Sequence, residues 1–130
     1  MKLTLFLIFG LALWQPGATP APQGGAQGCE QHAGRVYTTR QVDVKAKLIH
    51  RPEPFYPERM RRKRKRGSVK LRAVLRPDGA VTDIEILETS DAAIIETSIE
   101  AAKRIRFEPA LKDGCPVAQS VILINWYNTY

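Results

Sequence analysis

Few residues in this chain have the types and spacing that chemistry needs. There are two cysteines, Cys29 and Cys115, and two histidines, His32 and His50. There is also an unbroken run of cations, Arg61, Arg62, Lys63, Arg64, Lys65 and Arg66. Neither histidine lies in a cluster of carboxylates or cysteines with metal-ligand spacing. No glycine-rich loop cradles a phosphate, and no nucleophile is paired with a base. The residues therefore point away from catalysis, and no metal or cofactor is expected. Two capacities remain: oxidation of a thiol pair and attraction of anions.

The formal net charge is +7, and the six-residue run supplies almost all of it. An argument from basicity is thus an argument about Arg61 to Arg66 alone. One reading is a solvated helix with its charges spread around it. The other is attachment to anionic lipid head groups or lipopolysaccharide phosphates. Nucleic acid fits poorly, because no aromatic stacking row accompanies the arginines.

The N-terminus bears on where this chemistry takes place. Residues 1–26 read as an export signal: Lys2, an apolar run from Leu3 to Trp14, then Gln15-Pro16-Gly17 and the small residues Gly24-Gly25-Ala26. The alternative is a short membrane anchor, although the run is shorter than the ~17–20 residues of a spanning helix. Ala26-Gln27-Gly28-Cys29 is only a weak match to a lipoprotein box. Export implies an oxidising compartment, where an isolated cysteine pair closes. A Cys29–Cys115 disulfide is the expectation, with two unpaired thiols as the alternative. The chain-entropy model gives roughly 4–5 kcal/mol for so long a loop.

The elements that position these residues follow from periodicity. Residues 27–50 read as a lead-in, with Val42, Val44, Ala46 and Leu48 alternating as in an extra edge strand or an extended arm. Arg51 to Pro57 carries three prolines and must be extended. Glu58 to Arg66 then makes a short basic helix, ended by Gly67. Gly67 to Leu87 is a β-hairpin: Val69, Leu71, Ala73 and Leu75 form one apolar row, and Pro77-Asp78-Gly79 is the turn. Val81, Ile84 and Ile86 break strict alternation, which predicts a bulge near Asp83. Lys70 and Arg72 are expected opposite Glu85 and Asp83. Thr89-Ser90-Asp91 offers the cap of a helix over residues 92–106, with Ile95, Ser98, Ile99, Ala102 and Ile105 on its inner face. Asp113-Gly114 turns the chain into a last strand over residues 117–127. Val121, Leu123 and Tyr127 form one of its rows; Ile122, Ile124 and Trp126 form the other. Both faces are apolar, so one needs a cover other than the helices: the N-terminal arm, a second copy or a partner.

Five motifs in this order carry a family resemblance: Tyr56-Pro57, Gly67-x-Val69, Asp78-Gly79-x-Val81, Arg106-Phe107-Glu108-Pro109-Ala110 and Asp113-Gly114-x-Pro116-Val117. Together the segment over 51–130 resembles the TonB C-terminal domain. The resemblance implies an α+β fold, a three-stranded antiparallel sheet with two helices on one face. It implies a periplasmic location and a role in energy-dependent transport. Its partners would be an outer-membrane TonB-dependent transporter, bound through an extended TonB box, and inner-membrane proton-driven motor proteins. By that resemblance the backbone from Val121 through Ile122, Leu123, Ile124, Asn125 and Trp126 to Tyr127 offers a pairing edge, flanked by Glu53, Pro54 and Tyr56.

The chain also departs from the pattern. Glu53 stands where the family has glutamine and cannot donate as an amide does; one reading is a partner with a donor or positive charge opposite it, the other an exposed loop residue with no partner role. Ile105 replaces the usual tryptophan. The long Pro/Lys-rich spacer is missing; the segment before Tyr56 reaches about 130 Å at most if fully extended. The alternative function is therefore a soluble adaptor that dimerises through its last strand and binds anionic envelope surfaces.

Overall fold

The computed structural model describes residues 28–128. The expected export signal lies outside the described residues. In chain order the elements are β1 (Val36–Tyr37), β2 (Lys47–His50), α1 (Glu58–Arg62), β3 (Gly67–Leu75), β4 (Val81–Thr89), α2 (Ile95–Lys103), β5 (Arg106–Glu108), β6 (Ala110–Lys112) and β7 (Cys115–Tyr127). The fold is α+β. Its centre is the antiparallel sheet β4-β3-β7, to which β1 adds in parallel beside β7. Strand β6 forms a hairpin with β7, and β2 pairs with β5 in a separate ribbon. Both ribbon and hairpin lie beyond the three strands expected, and β1 and β2 are the extra strands of the N-terminal arm.

Alternation builds the core as the sequence implies. Val69, Leu71, Ala73 and Leu75 are all buried on one face of β3. Met60 of α1, Ile94, Ala102 and Ile105 meet them there, with Leu123 and Tyr127 of β7. Both helices thus cover the same sheet face. On the opposite face Ile122, Ile124 and Trp126 are exposed, while Val74 is buried.

The turns follow their residue chemistry. Gly79 takes φ +92° and the Asp78 carboxylate accepts from Ala80 N–H at 3.0 Å, closing the β3–β4 hairpin. Asp113 and Gly114 have φ +51° and +75°, as a two-residue hairpin turn between β6 and β7 requires. Asp83 is left-handed at φ +51°, where the β3–β4 register shifts.

Four sequence expectations are corrected. The second helix stops at Lys103 instead of running to Arg106. Phe107 is buried between exposed Arg106 and Glu108, a period-two pattern that suits a strand, and β2 is there to pair with it. Glu108 also precedes Pro109, which disfavours helix. The helix's inner face is shifted as well: Ile94, Ser98, Ala101, Ala102 and Ile105 are buried, whereas Ile95 and Ile99 are half-buried. The first helix ends at Arg62 rather than at Gly67. Arg64 N–H donates to Arg61 O and Lys65 N–H to Met60 O, with Arg64 at φ +49°, the paired bonds of a Schellman ending. Gly67 instead opens β3, where an added Cβ would lie 2.9 Å from Ile94 Cδ1 and Ser90 Oγ. Finally, register shifts in β4 re-sort the charge pairs: Arg72 does meet Glu85 at 3.1 Å, but Lys70 meets Glu88 at 3.7 Å and Asp83 meets Arg76 at 2.7 Å.

Candidate functional site

Strand β7 is covered unevenly. One side pairs with β3 along its length, from Gln119 opposite Leu75 to Tyr127 opposite Gly67. Strand β6 takes up Cys115 to Val117, and on the side away from β3 the partner is β1, against Ala118 and Gln119 alone. Beyond Gln119 no strand lies on that side among the described residues.

A strand's N–H and C=O groups alternate in direction, so one bond fixes the rest. The Ile124 carbonyl accepts from Arg51 Nη2 at 2.6 Å, which puts it on the side away from β3. Ile122 and Trp126 share that direction. Val121, Leu123, Asn125 and Tyr127 turn their backbone groups to β3. Side chains divide in the same way. Ile122, Ile124 and Trp126 stand on the solvent face, 55%, 43% and 69% exposed. Leu123, Asn125 and Tyr127 are buried and Val121 is half-buried. The seven candidate residues are therefore two sets with different work, three open to a visitor and four built into the domain.

Tyr127 belongs firmly to the second set. Its hydroxyl lies 2.6 Å from Ser98 Oγ and 2.9 Å from Thr97 Oγ1. Tyr56 stacks on it with ring centroids 5.9 Å apart, and the Tyr56 hydroxyl donates to the Lys65 carbonyl. Tyr56 thus pins the proline-rich segment to the end of β7. That segment and β7 form the walls of a cleft of about 470 Å³, with Arg51, Pro52, Glu53, Pro54 and Tyr56 facing Ile124 to Asn128. Glu53 is exposed at its rim, and Pro54 is half-buried. Arg51 also donates to Asn125 Oδ1 at 2.8 Å. Sequence reasoning did not single out Arg51. Its partners are more than 70 positions away, and no local spacing encodes that.

The basic run is spread over α1 and the turn after it, and every member is exposed. Arg61 and Arg62 reach Glu58 at 3.7 and 3.9 Å, and Lys65 reaches Asp91 at 3.8 Å. Such exposed, loose pairs stabilise little, roughly 0–1 kcal/mol each. At the opposite end of the sheet Cys29 and Cys115 form a disulfide, with Cα atoms 5.5 Å apart. Around it His32 Nδ1 lies 2.6 Å from the Tyr37 hydroxyl, and His32 Nε2 lies 3.3 Å from the Asp113 carboxylate. Asp113 N–H donates to the Asp43 carboxylate at 2.7 Å. That bond outweighs desolvation and, together with the Lys112 ammonium, holds the Asp43 carboxyl below its usual range. These contacts fasten the N-terminal arm to the β6–β7 turn. Among the described residues no helix is long and apolar enough to cross a membrane.

Comparison with known proteins agrees with the motifs. Residues 52–127 match the family model for the Gram-negative bacterial TonB protein C-terminal. The chain is 31% identical over 77 residues to Protein TonB of Escherichia coli (strain K12), a match covering 58% of this chain. It spans about a third of that relative's length, 32%. The fold is similar to the solution NMR structure of the Pseudomonas aeruginosa TonB C-terminal domain, with a TM-score of 0.58 at 24% identity, over 71% of this chain and 92% of that one. With more than half of its length matched by the family model, the chain belongs to the TonB C-terminal family.

Proposed function

We propose that this chain is a periplasmic peptide-binding domain. It adds an extended segment of an outer-membrane transporter, a TonB box, to the open side of β7, and so supports energy-dependent transport driven by inner-membrane motor proteins. One observation supports this best. The Ile124 carbonyl faces away from the sheet and is occupied by a side chain instead of a strand. Open backbone groups at a sheet edge are the template for strand addition. The Arg51–Tyr56 segment walls a cleft of about 470 Å³ beside them. A second reading draws on the exposed row Ile122, Ile124 and Trp126: β7 of another copy would cover the same side, as in a dimeric adaptor.

Titration of the protein with a TonB-box peptide tests the first reading. The amide resonances of Ile122, Ile124 and Trp126 are expected to move most. Ile124→Pro removes an outward N–H that the fold itself does not use. The variant should melt near the parent temperature and lose most of its peptide affinity. Undiminished binding by a folded Ile124→Pro protein would rule out pairing at this side. A dimer by light scattering, with no response to peptide, favours the second reading.

A further inference from the structure

The open stretch of β7 has two unlike ends. At Gln119 it is closed by β1, which the disulfide-fastened arm holds in place. At Tyr127 it adjoins the basic turn: Tyr127 lies opposite Gly67, the residue after Arg66, and the Lys65 carbonyl holds the hydroxyl of Tyr56, which stacks on Tyr127. A chain laid along Ile122 to Trp126 is stopped at one end by β1. At the other end it emerges beside Tyr127, on the far side of which the basic turn enters β3 at Gly67.

That charge is largely uncompensated. Among the described residues, the cluster of Arg59 and Arg61 to Arg66 forms ion pairs with two carboxylates, Glu58 and Asp91. Arg59, Lys63, Arg64 and Arg66 make no ion pair among the described residues. Repulsion within such a cluster disfavours the compact state, and an anion beside it relieves that repulsion. The exposed side chains of the pairing stretch itself, Ile122, Ile124 and Trp126, carry no charge, and beside them Arg51 is already bonded to the Ile124 carbonyl and Asn125 while Glu53 stands at the cleft rim. Backbone pairing is tolerant of sequence, so discrimination between partners must come from the flanks.

We infer that the partner segment carries a run of Asp and Glu directly beside its pairing residues, on the side that emerges past Tyr127. The basic cluster then selects that segment and fixes its direction along β7. The inference rests on strand addition at β7.

Three synthetic peptides test it. Each has a Thr/Val core as long as Val121–Tyr127, with an acidic flank at its N-terminus, an acidic flank at its C-terminus, or neutral flanks. One acidic placement should bind on the order of tenfold more tightly than the other two peptides at low salt, the side revealing the strand direction. The advantage should vanish as salt screens it. The triple variant Lys63→Gln, Arg64→Gln, Arg66→Gln should abolish the difference between peptides, and the salt titration of the unmodified protein gives the same answer if that variant does not fold. Equal binding of all three peptides overturns selection by the cluster but leaves strand addition standing. Binding of none removes both. Equal peptide binding together with salt-sensitive capture by mixed phosphatidylcholine–phosphatidylglycerol vesicles assigns the cluster to a membrane surface instead.

Discussion

Arg64 ends α1 in the left-handed region, where glycine is the usual occupant. A non-glycine residue there costs about 1–2 kcal/mol in backbone strain. Arg64→Gly is therefore expected to stabilise the domain by about 1 kcal/mol, raising Tm by several degrees. Arg64→Ala removes the same charge but keeps the strained backbone, and should give little gain. Equal gains from both would mean that charge repulsion, not backbone geometry, was relieved. The misreading of this helix has a physical source. Gly67 looks like a stop signal, but its missing Cβ serves the close approach of Ile94 and Ser90. A sequence shows that a glycine is present and not which of its two properties is in use. Arg51 was illegible for another reason, since a side chain's reach to a strand 73 positions away depends on the finished fold.

At the scale of elements, β7 is both part of the core and the candidate docking strand, and Tyr127 ties it to α2. Tyr127→Phe leaves the Ser98 hydroxyl without its 2.6 Å partner in a buried site. A loss of about 1–3 kcal/mol is expected in chemical denaturation. A change below a few tenths would show that the hydroxyl pair adds nothing to the joint. The strands and turns around this joint were readable because their signals are local: the apolar row of β3, the positive-φ glycines Gly79 and Gly114, and the break in alternation at Asp83. The short strand β5 was not. Three residues are too few to show a period, and pairing with β2 decides their conformation. The two rows of β7 were also visible in advance, but not which row the helices would cover.

For the whole molecule, the disulfide matters most. It spans 86 positions and holds an arm whose pairing with β7 is only two residues long. Cys29→Ser with Cys115→Ser is expected to lower stability by about 2–5 kcal/mol and to free β1 from Ala118 and Gln119. Hydrogen exchange at the Ala118 amide, which faces β1, would report the release; unchanged protection would mean that His32, Tyr37 and Asp43 hold the arm unaided. The cysteine pairing was legible because two cysteines, on the expectation of an oxidising compartment, have one way to close. The arm's path was not, because its alternation fits several registers. One further property follows from the two register shifts in β4. They bend that outer strand, and Asp83, Glu85 and Glu88 line it with charged side chains paired to Arg76, Arg72 and Lys70. The sheet thus has a receptive rim on one side and a guarded one on the other. Building an endless ribbon of molecules needs two complementary rims on each, so copies that meet here close into a twofold pair and growth stops there, without fibres.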